Sequence, residues 1–557
     1  MTARILVADG GTPAAVGVVD RSIVAVGTEP EVVAQIGRGA EIRRWPGACL
    51  AAGFIDAHHH FALAVLDRLA LDVRVPSGAR IDDLLGRLHA SSPDPRRRWI
   101  RAHSYDPLHV REGRAPHRRE LDEVCPDRPL VLFHESFHEA ALNSRALEEL
   151  GWTAHTRDPP DGHLVRDRRG RLTGEVHEGP AFLAEARSRE EGLPSEFDAA
   201  CREHGQRLLS LGIVRVGDAA VPPALHEAYL RAASNGSLPL PIHCMPVGGR
   251  SLLEASLTFR AEHPSGRVRS GPAKLFVDGG HRCALCVPLH RMAGVVAGIA
   301  MSTIRSRSLQ PLRIARRAGP IRLRRAGVCT GHLLREHEEL ASLSADAIAA
   351  EVPLALHAMG DAAATLALDA LEAAGAEHGR VQHRLEHLAL VDPASVAPRL
   401  ADLGVTGVVQ PSFLTIFGPD VARARGPRWI VPFPWASLRA AGARLAGSSD
   451  YPVGDPDVLA AIQAAVTRRL PNGESLEMHE ALSVREALDL YGPGAAAALG
   501  VADETGTLQA GKLADVVVLS HDPERIAPHR LREVAVLATM VEGSLAYERD
   551  DGAPAAR

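Results

Sequence analysis

Residues 53–60 read Gly-Phe-Ile-Asp-Ala-His-His-His and close an apolar run, CLAAGFIDA at 49–57, with the length and content of a buried strand. Side chains alternate along a strand, so His58 and His60 share a face and can bind one ion while His59 points elsewhere. Imidazole is the commonest metal ligand, and two on one face at a strand end are hard to explain as packing. A lone His-x-His is short for a chain with 27 histidines, so its meaning depends on the other strand ends.

Seven further runs can be read as buried parallel strands: IVRVGDA (213–219), LPIHCMPV (240–247), AKLFVDG (273–279), VPLALHA (352–358), RLEHLAL (384–390), VTGVVQP (405–411) and ARLAGSSD (443–450). Helical patterns follow several of them. In the clearest, DAAATLALDALEAA at 361–374, apolar residues recur at helical spacing and Asp361 stands where a cap is expected. Eight buried strands alternating with helices predict a (β/α)8 TIM barrel over 51–504. The interval from about 61 to 212 is too long for one crossover, and it is read as a large insertion after strand 1, with LVLFHESF (130–137) among its elements. Short β-branched runs at 5–8, 15–19 and 23–26 recur in texture at 514–520 and 533–548, which predicts one small β-sandwich domain formed by both termini, 1–50 plus 505–557. The stretch from Arg305 to Arg325 carries eight arginines with Pro and Gly and no clean period. It reads as a solvated loop or as a basic lid over an acidic substrate.

With 557 residues, 46% hydrophobic and 24% charged, the chain has ample core, and disordered or fibrous classes are excluded. A net charge of -5 gives no general reason to expect nucleic acid or an anionic membrane as partner. The start has no signal-like pattern and no stretch approaches the ~18 apolar residues of a membrane span, so a cytoplasmic protein is expected. Seven irregularly spaced cysteines make no disulfide framework. Among the 63 basic residues only Lys274 and Lys512 are lysines.

Lys274 falls in the fourth candidate strand, His357 ends the fifth, His387 the sixth and Asp450 the eighth. Each has a bland reading: a core histidine satisfied by backbone, an N-capping Asp, a snorkelling Lys. Their convergence on one barrel face is less bland, because barrel active sites are built from the C-terminal ends of different strands.

The order His-x-His, Lys, His, His, Asp on strands one, four, five, six and eight resembles the amidohydrolase superfamily. The flanking text GFIDAHHH, KLFVDGG, LALHAMGDAAATLALDALE, RLEHLALVD, GVVQPSF, GSSDYPV and GTLQAGKLADVVVLSHDP is similar to the amidohydrolase family 3 branch that holds N-substituted formamide deformylases. WIRAHSYD (99–106) and PDRPLVLFHESFHEAALNSRAL (126–147) resemble that branch too. The resemblance implies one or two divalent ions, with His58 and His60 on the more buried one and His357 and His387 on the second. It implies a bridging carbamate on Lys274 and Asp450 as a ligand that also manages protons. The family's metal-bound hydroxide would attack a carbonyl, and the reaction implied is hydrolysis of a C–N bond in an amide, N-formamide or cyclic amide. Only a neutral primary amine forms a carbamate, which Arg cannot replace. Zinc suits a His-rich site, and iron, nickel and manganese are compatible. His138 corresponds to a His that would polarise the carbonyl or orient substrate, although an ordinary loop His fits the position equally. Glu178 is a rival bridging ligand, and Tyr105 is placed in the substrate pocket.

Two departures stand out. DGGHRCALC replaces the branch's small polar residues and brings in His281, Cys283 and Cys286, read as pocket lining in preference to a redox pair or half a zinc site. The Arg305 to Arg325 stretch matches nothing in the branch. The partner expected is a small-molecule substrate, with no nucleic acid and no membrane, and homo-oligomerisation is left open. The alternatives are a lyase or isomerase using the same metal site, or a catalytically silent binding protein.

Overall fold

Gly53 divides the first candidate strand in two. In the computed structural model, which describes residues 3–37, 39–91, 93–189, 193, 195–249, 252–257, 262–280, 282–317, 319, 321–324, 327–377, 380–424 and 429–550, Cys49–Ala52 pairs antiparallel with Val516–Leu519, and Phe54–His59 pairs parallel with Ile213–Val221. A Cβ on Gly53 would lie 2.4 Å from the Val214 side chain. The chain can change sheets there because glycine leaves that space to Val214.

The other seven candidate strands are present. Val268–Ser270, Ile242–Pro246, Ile213–Val221 and Phe54–His59 form one parallel sheet in that order. Ala273–Phe276, Leu354–Gly360, Arg384–Val391, Thr406–Val409 and Leu445–Gly447 form a second, also parallel along its main path. The sheets meet at two seams. Gly271 N donates to Cys244 O at 2.7 Å on one side, and Asp450 N donates to His58 O at 2.8 Å on the other. Their strands are buried almost throughout, which is why the sequence shows continuous apolar runs instead of alternation.

The helix after Leu354–Gly360 spans Asp361–Ala373, but Asp361 does not cap it. Gly360 is the N-cap residue, and the Asp278 carboxylate accepts from Met359 N and Gly360 N at 2.9 and 3.0 Å. Asp361 instead accepts from Asp392 N.

Within 61–212, the segments Gly162–Arg166, Leu172–Glu178, Glu139–Leu142, Leu130–His134, Ile100–Tyr105 and Leu71–Asp72 form a six-stranded mixed sheet in that order. At the termini, Ser22–Gly27, Ala15–Val19, Ala3–Val7 and Glu41–Arg44 form one four-stranded sheet, and Ser544–Glu548, Val536–Val541, Val516–Leu519 and Cys49–Ala52 form another. Leu6, Val16 and Val18 of the first share a buried cluster with Leu50, Val516, Val518 and Met540 of the second. The N-terminal segment is not all β, since Glu29–Ile36 is a helix.

The arginine-rich stretch is also more regular than its sequence suggests. The end of the helix Met292–Ser306, the helix Gln310–Arg317 and the strand Arg322–Arg324 occupy it, while Ala318, Pro320 and Arg325 lie outside the described residues. No described helix is long and apolar enough to cross a membrane.

Candidate active site

Four histidines converge at the ends of the parallel strands, and each is tethered at Nδ1. His58 Nδ1 pairs with Glu386 Oε2, and Arg384 Nε grips the other oxygen of that carboxylate at 2.6 Å. His60 Nδ1 lies 3.0 Å from the Ala219 carbonyl, His357 Nδ1 3.1 Å from Asp278 Oδ1, and His387 Nδ1 2.9 Å from Gln410 Oε1. A carbonyl or amide oxygen only accepts, so His60 and His387 carry their protons on Nδ1 and a neutral ring keeps a lone pair at Nε2. Burial beside His387 and Lys274 holds His357 well below the usual histidine range, and burial pushes His387 down to about 3, so both rings are neutral near pH 7.

The Nε2 side is where polar partners run out. His58 Nε2, His387 Nε2 and Asp450 Oδ1 are buried with no hydrogen-bond partner among the described residues. His60 Nε2 and His58 Nε2 lie 3.1 and 3.3 Å from that Asp450 oxygen. The rings of His357 and His387 are 4.5 Å apart, and those of His58 and His387 5.0 Å. Lone pairs aimed at one another and at a carboxylate in a buried space repel unless a cation lies between them. Nitrogen and oxygen donors set this way fit a divalent metal, and the rings' outer contacts to carboxylates and carbonyls are those that orient metal-binding imidazoles.

Asp450 is buried beside them. Its backbone has φ 56°, and that of His387 φ 79°, left-handed conformations that cost energy for residues with side chains. The seam bond from Asp450 N to His58 O keeps the carboxylate turned inward.

Lys274 is 1% exposed, in the strand Ala273–Phe276. Burial pushes its amine down to about 8, with Glu386 and Asp450 opposing the shift. With His58, His60, His357, His387 and Asp450, it lines a single cavity of about 2030 Å³. His59 points away, as strand alternation requires, packing on His204, Phe61 and Tyr451.

His138 lines the same cavity, its ring 5.2 Å from that of His357 and its Nδ1 2.6 Å from Glu178 Oε2. Glu178 is fully buried, with φ 57° and a second oxygen left unpartnered among the described residues, so it stands behind His138. Tyr105 is set back from the cavity, edge-on to His134 at 5.5 Å. Of the unusual segment, Cys283 lines the cavity, and His281 lies outside the described residues. Cys286 is not a pocket residue. It forms a disulfide with Cys329, because Leu285–Val287 and Gly327–Thr330 pair antiparallel with these two residues opposite.

Several residues were missed in reading the sequence. Asp278, Glu386 and Gln410 orient three of the histidines. Asp218 accepts from Phe61 N at 2.6 Å, fixing the turn after His60, and Asp56 accepts from Ser449 N at 2.9 Å beside Asp450. The signal was a polar residue inside or at the end of an otherwise apolar strand, as in Arg384-Leu385-Glu386-His387, where a polar side chain needs a buried partner.

The model of the amidohydrolase family matches residues 46–547. The chain is 31% identical over 540 residues to the N-substituted formamide deformylase of Arthrobacter pascens, covering 95% of this chain and 93% of that one. It is 27% identical over 517 residues to the putative amidohydrolase YtcJ of Bacillus subtilis, covering 90% of each. Among solved structures, an uncharacterised metal-dependent hydrolase from Pyrococcus horikoshii shares the fold, with a TM-score of 0.66 at 22% identity over 95% of this chain and 99% of that one. The buried histidine and aspartate donors thus stand in a chain matched to one family along nearly its whole length, and the protein belongs to the amidohydrolase family as a metal-dependent hydrolase acting on carbon–nitrogen bonds.

Proposed function

We propose that the protein hydrolyses an amide, an N-substituted formamide or a cyclic amide at this cavity. The observation that carries the reading is the set of atoms His58 Nε2, His387 Nε2 and Asp450 Oδ1, buried where the strand ends meet with no hydrogen-bond partner among the described residues. The formamide class is favoured by the likeness to the Arthrobacter pascens enzyme. In the same reading the two parallel sheets are halves of one (β/α)8 barrel over 51–504, with the insertion at about 61–212. The terminal sheets form one composite sandwich from 1–50 and 505–557. The shared cluster of Leu6, Val16, Leu50 and Val516 supports the sandwich, and Cys49–Ala52 moves its edge slightly into the barrel range.

His58, His60, His357, His387 and Asp450 would hold one or two divalent ions, zinc being best suited to the nitrogen donors. Such an ion, when bound, lowers the pKa of water toward ~7 and polarises a carbonyl. Lys274 would carry a carbamate, formed when the neutral amine attacks CO2 and releases a proton. The carbamate would supply oxygen ligands. Asp450, buried beside His58 and His60, would take the proton of the attacking water and return it to the departing nitrogen. His138, oriented by Glu178, would face the carbonyl oxygen from the opposite wall.

A screen of metal-reconstituted protein against N-formyl, N-acyl and cyclic amides tests this. Release of amine by the wild type is expected, with Asp450→Asn slower by about 10²–10⁴-fold, the usual contribution of a positioned acid or base. A metal-free preparation with full activity would sink the reading.

A further inference from the structure

Between Asp278 and Glu336 the chain carries eleven arginines and not one acidic residue, in a protein whose net charge is -5. The excursion is closed at its base by the Cys286–Cys329 disulfide and contains the helices Met292–Ser306 and Gln310–Arg317. Of the thirteen large hydrophobic side chains exposed among the described residues, eight lie within it: Leu289, Val296, Met301, Ile304, Leu309, Leu312, Ile321 and Leu323. Ile304, Ile321 and Leu323 are each at least 70% exposed. Arg305, Arg307, Arg313 and Arg322 are exposed among them.

The helix Met292–Ser306 is the most unusual part. From Met292 to Ile304 it has no charged residue. Met292, Val295, Val296, Ile299 and Met301 line the cavity, whereas Ile304 lies outside it. A helix apolar all round is normally covered on every side, and this one, packed on the cavity and on the helices Gln310–Arg317 and Gly418–Ala424, still leaves Ile304 70% exposed.

We propose that this excursion is a peripheral docking face for an anionic phospholipid bilayer, on which the exposed aliphatic side chains enter the headgroup boundary and the arginines meet anionic headgroups. Charge selects this occupant. A second copy would bring two sets of arginines together without a counter-charge in either. Nucleic acid would set the aliphatic side chains against phosphates, and no aromatic residue lies between 279 and 335 to stack on bases. A bilayer accepts both kinds of side chain at once. The 15-residue helix is too short to span one, so it lies in the interface. Since its other face lines the cavity, docking places the site beside the lipid surface.

The test is co-sedimentation of the full-length protein with vesicles of pure phosphatidylcholine and with vesicles in which a third of the lipid is phosphatidylglycerol. Binding is expected to the anionic vesicles alone, weakening as salt rises. Reversing Arg307, Arg313 and Arg322 together to Glu removes three contacts worth about fivefold each, so binding should fall on the order of a hundredfold with the melting temperature unchanged. Leu309→Ser with Leu323→Ser should weaken binding at every salt concentration. Equal binding to both vesicles, binding to neither, or anionic binding untouched by the arginine reversal would overturn the proposal. So would a dimer dissociated by the Leu309→Ser and Leu323→Ser pair, or binding to an oligonucleotide in place of the vesicles.

Discussion

On the inner wall of the cavity, His58, His60, His357 and His387 are each held at Nδ1 by a carboxylate, a carbonyl or an amide oxygen. On the outer wall, Met292, Val295 and Ile299 come from a helix that leaves Ile304 exposed outside the cavity. The inner wall grows from the ends of buried parallel strands, where neighbouring backbones and side chains determine each position. The outer wall is a disulfide-closed excursion whose apolar surface is only half used. Such a division is common in enzymes built on strand ends: chemistry is placed on the rigid scaffold, and the contacts that differ between relatives are placed on the excursions.

The contrast breaks first, and with the largest effect, at Lys274. Lys274→Arg keeps a cation in the buried strand but removes the primary amine, and the expected result is loss of most bound metal and of activity, read by elemental analysis and turnover. Retained metal with full activity would show that the inner wall does not need this lysine.

A smaller effect separates the walls directly. Glu386→Gln loosens the tether on His58 without touching the donor atom, and should lower metal affinity by about 10–100-fold in a competition titration with a chelator. Leu323→Ser on the excursion should leave that affinity unchanged and shift stability by no more than about 0.5 kcal/mol. Equal losses in both variants would mean that the excursion is part of the metal scaffold.

The smallest effect concerns acid. His383 is buried under the strand Arg384–Val391, its Nδ1 accepts from Leu354 N, and burial pushes it down to about 4. The unfolded chain takes up a proton near pH 6.5 that the folded ring refuses, so stability is present above that pH and falls as the solution is acidified toward pH 4. The loss should reach about 2–3 kcal/mol in denaturant titrations, and a variant with Gln at 383 should show a flatter profile over that window. An unchanged profile would place the acid sensitivity elsewhere.

How much was legible in the sequence follows the same division. Eight of the nine strands in the two parallel sheets could be read, because burial on both faces makes each a nearly unbroken apolar run; the short Val268–Ser270 could not. His58, His60, His357, His387 and Asp450 could be read as polar residues toward the C-terminal end of apolar runs, and Lys274 as a polar residue near the start of its own. The partners that hold them, Glu386, Asp278 and Gln410, could not be assigned, because pairing across strands depends on register. Glu386 meets His58 from 328 positions away. Gly53 was read inside one strand when it divides two, since a change of sheet leaves no mark in hydrophobicity.

By itself, the sequence determined the kind of chemistry: local order sets which residue types stand at the strand ends, and Lys274, one of only two lysines among the arginines, stands out without any structure. Only the tertiary structure decided that Cys286 meets Cys329, that Glu178 stands behind His138, and that an apolar helix leading into the arginine-rich stretch forms part of the cavity wall. Those facts concern which surfaces meet, and contact between segments far apart in the chain is settled by packing of the whole molecule, not by local pattern.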